Sequence, residues 1–259
     1  MIKALFFDID GTLVSFETHH VPHSAVEAIA AAKAKGVKVF IATGRPRQFI
    51  NGIDEIQPYV DGYMTVNGAY CYIGGRDVRL AQIPHDSAEA MIAMSDEMSF
   101  GCIVMGLDGV AVHNHTREMD DIVEGQLNID YKRVLIPLSE VMTQPIVQIT
   151  PFFDVDTEKK VMSHIDGCQA ARWYPAFCDV TSSQADKGLG LKDMARSEGF
   201  DICETMAFGD GGNDVTMLKS AGTGVAMGNA RDEVKTAADY VTSTVDDGGV
   251  ALALRKFVL

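Results

Sequence analysis

The segment IKALFFDIDGT, residues 2–12, decides the fold of this chain. Its first six residues are almost wholly apolar, and the run ends abruptly in acids and a glycine. Such a pattern predicts a central parallel strand, buried on both faces, whose carboxyl end opens into a loop where ligands bind. Asp8 and Asp10 therefore stand where two carboxylates can hold a hard cation or divide the roles of nucleophile and acid. An isolated acidic pair of this kind also fits a plain acidic turn.

Strands and helices alternate on both sides of this segment. Residues 24–35 are alanine-rich and end at a glycine, as a helix does, and residues 37–42 form a second apolar run. A strand, a helix and a strand make a right-handed unit with parallel strands, so the ends of both strands meet at one edge of the sheet. Near the carboxyl end, residues 188–198 predict a helix and residues 204–208 a short buried strand that leads into GDGGND.

The middle of the chain follows a different pattern. Between residues 82 and 185, short strand-like and helix-like stretches are mixed, which is typical of an α+β domain. This segment holds 6 Lys and Arg against 16 Asp and Glu. We therefore predict an α/β protein with a Rossmann-like parallel-sheet core, formed by residues 1–81 and 186–259, and an inserted α+β domain at 82–185.

Composition excludes several classes of function. The 259 residues carry a net charge of −14 and no basic run, which argues against a nucleic-acid partner. No apolar stretch is long enough to span a membrane and the first residues do not resemble a signal peptide, so we expect a soluble, cytoplasmic protein. Five scattered cysteines predict reduced thiols, most of them in the core.

Four groups of polar residues fall at strand ends or helix starts of the predicted sheet. Together they suit phosphoryl chemistry: a carboxylate nucleophile, a second acid that carries protons, a hydroxyl and an ammonium for phosphoryl oxygens, and a further carboxylate for Mg²⁺. These groups are Asp8 with Asp10, Thr43, Lys187, and the set Asp210, Asn213 and Asp214.

The ordered set of motifs resembles a known family. DIDGT at 8–12, TGR at 43–45, Lys187 before a glycine, and GDGGND at 209–214 are similar to the four motifs of the haloacid dehalogenase (HAD) superfamily of phosphohydrolases. The long insert and the VNGA at 66–69 resemble the Cof-type subgroup with an α/β cap, subclass IIB. The resemblance extends over the whole chain.

The resemblance implies a role for each matching residue. Asp8 would form an aspartyl-phosphate, and Asp10 would be the general acid and base and a Mg²⁺ ligand through its backbone carbonyl. Asp210 would be the remaining metal ligand, and Asp214 would orient Lys187 or a metal-bound water. The residues implied to hold the phosphoryl group are Ile9 through its N–H, Thr43, Gly44, Lys187 and Asn213.

These residues predict a Mg²⁺-dependent phosphomonoesterase for small phosphorylated metabolites, with sugar phosphates as the expected class. Two alternatives are a phosphosugar mutase and a non-catalytic phosphate sensor. The acid at Asp10 and the complete motif set argue against the sensor. Arg45, beside the phosphate loop, fits either a substrate contact or a structural salt bridge, and His19, His20 and His23 fit an ordinary polar loop.

Overall fold

The structure, a computed structural model, describes residues 1–259 and divides into two compact units. The first unit comprises residues 1–45, 50–80 and 185–259, and the second comprises residues 46–49 and 81–184. No helix is both long and apolar enough to cross a membrane. All five cysteines are free, and three of them are buried.

The elements follow in chain order. The strands are β1 Ala4–Phe7, β2 Lys38–Ala42, β3 Gly62–Thr65, β4 Tyr70–Ile73, β5 Arg76–Leu80, β6 Cys102–Gly106, β7 Val110–His113, β8 Ile146–Pro151, β9 Cys168–Tyr174, β10 Phe177–Ser182, β11 Thr205–Gly209, β12 Thr223–Ala226 and β13 Tyr240–Val241. The α-helices are α1 His23–Ala34, α2 His85–Met98, α3 Arg117–Asp120, α4 Leu138–Val141, α5 Val155–Met162, α6 Lys187–Ser197, α7 Val215–Ser220, α8 Asp232–Ala237 and α9 Gly249–Phe257.

The first unit is built on an eight-stranded sheet in the order β13-β12-β11-β1-β2-β3-β4-β5. The six strands from β13 to β3 are parallel, and β4 and β5 extend the sheet in antiparallel fashion. Strand β1 lies between β11 and β2, so the opening strand is central, as its apolar sequence predicts. The predicted Rossmann-like core is thus confirmed.

Both faces of β1 are buried in separate hydrophobic clusters. Leu5 and Phe7 belong to a cluster with α1 and α9, whereas Ala4 and Phe6 belong to one with α6 and α7. All four side chains are fully buried, because successive residues of a strand point to opposite faces. Because both faces of β1 are buried, the strand is held in place in the sheet. The residues that follow Phe7 therefore start from a fixed position.

The second unit has its own sheet and its own core. Its five strands pair in the order β7-β6-β8-β10-β9, and all the neighbours are antiparallel. A separate cluster that includes Met91, Val104, Ile149 and Val161 packs its helices on one face of this sheet. The α+β character predicted for the insert is therefore confirmed.

Residues 46–49 depart from the predicted domain limits. The sequence predicts them as part of the core, but in the structure they group with the second unit. The reason lies in their contacts within that unit: the Gln48 amide donates to the carbonyls of Gly106 and Leu107, at 3.0 and 3.1 Å, and Arg47 pairs with Asp108.

Several elements of the structure are not predicted by the sequence. The hairpin strands β3 to β5 and the strands β9 and β10 have short or mixed patterns that periodicity does not separate from loops. Helix α9 packs against α1, an association between distant segments that local sequence does not show. Where elements were predicted, their ends differ from the observed ends by a few residues.

Asp61 joins β3 to β2 at the edge of the sheet where these two parallel strands begin. Its backbone N–H donates to the Val39 carbonyl at 2.8 Å, and its Oδ2 accepts from the Val39 N–H at 2.9 Å. Lys33 also donates to Oδ2, and Lys38 donates to Oδ1 at 3.1 Å. One carboxylate therefore links the end of α1 and the starts of two strands.

Replacing Asp61 with Asn is expected to lower the free energy of unfolding at pH 7 by about 1–3 kcal/mol, since charge-assisted hydrogen bonds are lost. Burial alone would raise the pKa of Asp61, but the bonds from Lys33, Val39 and Lys38 outweigh it and hold the pKa below its usual value. A carboxyl whose pKa is lower in the folded chain stabilises the fold above its unfolded pKa, near 4, and loses that effect as the pH falls through the folded value.

Urea unfolding of the wild type and Asp61→Asn at pH 7, 5 and 3 tests this expectation. The difference in free energy should shrink from pH 5 to pH 3. Asp54→Asn, at an exposed position, serves as the control and should change little. A difference for Asp61→Asn that is independent of pH would contradict the assignment.

Candidate active site

The predicted site residues come together at the carboxyl-terminal edge of the first unit's sheet. Asp8 follows β1, Thr43 follows β2 and Asp210 follows β11, and these three strands are parallel neighbours. Lys187 opens α6, whose first turn is capped by the Asp186 carboxylate, which accepts from the Leu189 N–H at 2.8 Å. Strand order and the helix cap therefore bring the separate motifs to one place.

Lys187 lies at the centre of this group. Its Nζ donates to Asp8 Oδ1 at 2.7 Å and to Asp214 Oδ1 at 2.6 Å. The side chains of Lys187 and Asp214 have no exposed area. Burial alone would lower the pKa of Lys187, but Asp214 and Asp8 reverse this effect and raise it above its usual value. The buried amine is therefore held as a charged ammonium.

Three carboxylates crowd around this ammonium. One oxygen each of Asp8, Asp210 and Asp214 lies within 4.8 Å of the others. Burial raises the pKa of Asp8 to about 8, with Lys187 opposing the shift and Asp214 reinforcing it. Burial also raises the pKa of Asp210 to about 6. The hydrogen bond from Thr12 lowers this pKa, whereas the charge of Asp214 raises it further. With all three ionised, two negative charges are uncompensated.

Asp214 organises the loop as well as the lysine. Its Oδ2 accepts from the backbone N–H groups of Asp210 and Gly211, at 3.0 and 2.9 Å, while its Oδ1 accepts from Lys187. Both oxygens are thus engaged within the protein. Of the two roles expected for Asp214, the orientation of Lys187 has a direct contact in the structure.

Asp10 has different surroundings, although only one residue separates it from Asp8. Its carboxylate is 43% exposed and receives two hydrogen bonds from Arg45: Nε donates to Oδ2 at 2.9 Å, and NH2 donates to Oδ1 at 2.5 Å. Arg45 thus forms a salt bridge, one of the two roles that the sequence left open. The carboxylate of Asp10 lies outside the group of three acids.

The TGR loop is held by a strained turn in the VNGA segment. Val66, Asn67 and Gly68 all have positive φ angles, of 49, 52 and 86°. A β-branched residue in this region is rare, and such conformations persist only where the surrounding structure imposes them. Here Gly68 lies so close to the Asp186 carbonyl that a Cβ would overlap it. The strained turn is therefore packed against the start of α6.

Asn67 uses this conformation to join two motifs. Its backbone N–H donates to the Thr43 carbonyl at 3.0 Å, and its side-chain oxygen accepts from the Asn213 amide at 2.9 Å. The same oxygen lies where a Cβ on Gly44 would crowd it at 3.2 Å. Thr43 is almost fully buried, and its hydroxyl oxygen accepts a hydrogen bond from the backbone N–H of Arg45 at 3.0 Å. Three of the residues expected around a phosphoryl group, Thr43, Gly44 and Asn213, therefore all lie against Asn67.

The rest of the first motif secures Asp210. Thr12 donates its hydroxyl to Asp210 Oδ1 at 2.8 Å, and Gly11, with φ of +79°, approaches the Asp210 carboxylate so closely that a Cβ would overlap it. Ile9 is fully buried, and its carbonyl accepts from the N–H groups of Leu13 and Val14, at 2.9 and 2.8 Å. These contacts turn the chain sharply after β1.

Comparison with known proteins decides the family. The sequence profile of the haloacid dehalogenase-like hydrolases matches residues 5–254. This chain belongs to the haloacid dehalogenase superfamily. YkrA of Bacillus subtilis (strain 168), provisionally named as a phosphatase, is 31% identical over 99% of this chain and 98% of its own length. Together with the solved structures below, these matches make the protein a phosphatase of that superfamily.

Two solved HAD structures resemble this phosphatase over nearly their whole length. The HAD subclass IIB sugar phosphatase BT4131 is 44% identical, with a TM-score of 0.85 and 98% of each chain covered. The phosphatase BT1666 from Bacteroides thetaiotaomicron is 37% identical, with a TM-score of 0.86 and with 99% of this chain and 95% of that chain covered. The likeness supports the Cof-type, subclass IIB architecture that the motifs predicted.

Three residues of this HAD site were not assigned from the sequence. Thr12 and Asn67 stand inside quoted motifs, DIDGT and VNGA, but neither had been given a contact. Arg45 had two possible roles and no partner. An Asn followed by Gly is a signal for a left-handed turn, which could have marked Asn67 as structurally special. No local signal predicts the Arg45–Asp10 pair, since its members lie 35 residues apart.

Lys187→Met is expected to lower the free energy of unfolding of this phosphatase by about 3–5 kcal/mol, because it leaves two buried carboxylates without their cation. Asp8→Asn should be neutral or stabilising, since it removes one of three crowded acids and leaves Lys187 paired with Asp214. Urea unfolding of both variants in metal-free buffer provides the comparison. A Lys187→Met variant as stable as the wild type would show that the ion pairs do not hold the fold.

Proposed function

We propose that this phosphatase is a Mg²⁺-dependent phosphomonoester hydrolase that acts on small phosphorylated metabolites through an aspartyl-phosphate on Asp8. The observation that carries the proposal is the placement of two carboxylates from one loop in opposite environments. Asp8 is buried against Lys187, whereas Asp10 is partly exposed and paired with Arg45. Covalent phosphoryl transfer followed by hydrolysis requires such a nucleophile and a separate proton carrier.

The donor set at the site fits a hard divalent cation. Asp214 is engaged through both oxygens, and Lys187 and Thr12 occupy Asp8 Oδ1 and Asp210 Oδ1. This leaves Asp8 Oδ2 and Asp210 Oδ2 as carboxylate ligands, with the Asp10 carbonyl proposed as the third. Mg²⁺ takes one or two carboxylates and keeps several waters, so this set is sufficient. Ionisation of all three acids around Lys187 would leave two uncompensated negative charges, which match a divalent ion.

The phosphoryl group would be bound by residues that are already linked to one another. We assign to it the Lys187 ammonium, the Ile9 N–H, the Thr43 hydroxyl, the Gly44 backbone and the Asn213 amide. Thr43 accepts the Arg45 N–H, which leaves its own proton to donate to a phosphoryl oxygen. Bound Mg²⁺ would supply charge screening between the anionic nucleophile and the anionic phosphate.

The reaction then follows in two steps. A carboxylate oxygen of Asp8 attacks phosphorus, the bond from phosphorus to the ester oxygen breaks, and the leaving oxygen takes a proton from Asp10. A water then attacks the phosphorus of the aspartyl-phosphate, gives its proton to Asp10, and releases phosphate and the Asp8 carboxylate. An acid two residues after the nucleophile therefore favours turnover by hydrolysis over a long-lived phosphoenzyme.

Sugar phosphates are the proposed substrate class. The support comes from the likeness to the sugar phosphatase BT4131 and from the acidic second unit, which suits a neutral, hydroxyl-rich leaving group better than a second phosphate. Since the residues above serve the phosphoryl group, we assign the choice of leaving group to the inserted domain, residues 82–185. Phosphoryl transfer to an acceptor sugar would use the same core residues.

A panel of phosphorylated metabolites, assayed for inorganic phosphate and for isomerised sugar phosphate, tests this function. We expect phosphate release with Mg²⁺, strongest for hexose or pentose phosphates, and loss of activity in EDTA that added Mg²⁺ reverses. Isomerised product without phosphate release would indicate a mutase. Equal activity in EDTA and Mg²⁺ would refute the metal assignment.

Asp10→Asn is expected to lower phosphatase activity by about 10²–10⁴-fold, the usual contribution of a general acid or base. Mg²⁺ binding, followed by calorimetry, should survive because the backbone carbonyl is retained. Asp210→Asn is the matched variant, and it should weaken Mg²⁺ binding. Turnover by Asp10→Asn close to that of the wild type would rule out the proton-carrier role.

A further inference from the structure

We propose that Arg45 is a positioning residue that holds the carboxylate of Asp10 in the orientation required for proton transfer. The inference rests on the proposed function, in which Asp10 carries the proton. It assigns Arg45 an action through Asp10, in place of a contact with the phosphoryl group or the leaving group.

The contact between the two side chains fixes orientation as well as distance. The guanidinium donates from Nε to one carboxylate oxygen and from NH2 to the other, at 2.9 and 2.5 Å. Such a two-point pair is planar and restricts rotation of the carboxylate, which one hydrogen bond does not. Each oxygen keeps a further lone pair for a leaving oxygen or a water.

Arg45 is itself held by four hydrogen bonds to three other residues. Its NH1 donates to the Asn51 carbonyl at 3.1 Å and to the Asn51 side-chain oxygen at 2.6 Å. Its backbone N–H donates to Thr43 Oγ1 at 3.0 Å, and its carbonyl accepts from the Val66 N–H at 3.2 Å. The same residue thereby joins the proton carrier to the phosphate loop and to the strained turn at 66–68.

A purely stabilising role does not account for this arrangement. The Arg45 and Asp10 side chains are 25% and 43% exposed, and ion pairs at such positions contribute about 0–1 kcal/mol to stability. By contrast, a general acid or base contributes about 10²–10⁴-fold to rate and depends on its geometry. The guanidinium has five N–H groups and makes four hydrogen bonds to Asp10 and Asn51, which argues against a primary role in binding substrate.

Two substrates with different leaving groups test the proposal. An alkyl phosphate, such as glucose 6-phosphate, needs a proton on its leaving oxygen, whereas p-nitrophenyl phosphate does not. For Arg45→Ala we expect kcat/KM to fall about 10–100-fold for the alkyl ester and less than about threefold for the aryl ester, part of the range for a general acid. Arg45→Lys, which keeps the charge and contacts one oxygen at a time, should show the same selective loss to a smaller degree.

A double-mutant cycle separates an action through Asp10 from an independent one. Adding Arg45→Ala to Asp10→Asn should cause no further loss of kcat/KM, because residues that act as a unit are not additive. Arg47→Ala is the matched control: Arg47 pairs with Asp108, and its removal should leave the ratio of alkyl to aryl kcat/KM unchanged. Thermal unfolding should give Arg45→Ala nearly the stability of the wild type.

Equal losses for both esters, additivity with Asp10→Asn, or a rise in alkyl phosphatase activity on removing Arg45 would overturn the proposal. Failure of the proposed function has a different signature. Asp8→Asn would then retain activity, or Asp10→Asn would itself fail to discriminate between alkyl and aryl esters. Selective loss in Asp10→Asn without selective loss in Arg45→Ala rejects the positioning role alone.

Discussion

The buried ion pairs of Lys187 are the interaction on which the rest of this site depends. A fully buried ammonium bonds to Asp8, 179 residues away in sequence, and to Asp214, 27 residues away. Removing the ammonium from these pairs costs about 3–5 kcal/mol, a large share of the 5–15 kcal/mol that stabilises a typical domain. The ion pairs therefore tie β1, α6 and the loop after β11 together, and the proposed chemistry would use charges that the fold already requires.

The crowding of acids around that ammonium has a functional consequence. The protein holds Asp8, Asp210 and Asp214 together against their mutual repulsion, with one cation of its own. Such an arrangement opposes the stability of the metal-free fold, and a divalent cation bound there would relieve the repulsion. The raised pKa values of Asp8 and Asp210 express the same imbalance. Strain of this kind is common at functional sites, where stability is partly given up for binding.

Asp8 and Asp10 illustrate how a turn makes two identical side chains different. The carbonyl of Ile9 accepts hydrogen bonds from three backbone N–H groups, which fold the chain back on itself, and Gly11 allows the chain to approach Asp210 closely. Asp8 is buried at the edge of the sheet and bonded to Lys187, whereas Asp10 is partly exposed and paired with Arg45. The proposed division of labour between nucleophile and proton carrier therefore rests on backbone geometry rather than on residue type.

The sequence alone predicted the parallel core, the inserted α+β segment and the membership of the HAD superfamily. It could do so because β1 is buried on both faces, so its apolar run is continuous, and because the motifs end strands whose parallel pairing follows from the intervening helix. The strands β3–β5, β9 and β10 were not predicted. Their mixed apolar and polar sequences do not distinguish a strand from a loop until the neighbouring strands are known. Nor did the sequence place residues 46–49, which group with the second unit through contacts of Gln48 and Arg47.

Residue types and their order thus determined which groups gather at the strand ends. Only the tertiary structure decided how they pair. Lys187 lies between Asp8 and Asp214, Asn67 links Thr43 to Asn213, and Arg45 binds Asp10 at two points. Each of these contacts joins segments far apart in sequence, and short-range patterns carry no information about the distance between such side chains. A motif specifies which chemical groups are present in one short segment. The partner of each charged group depends on where the folded sheet places that segment.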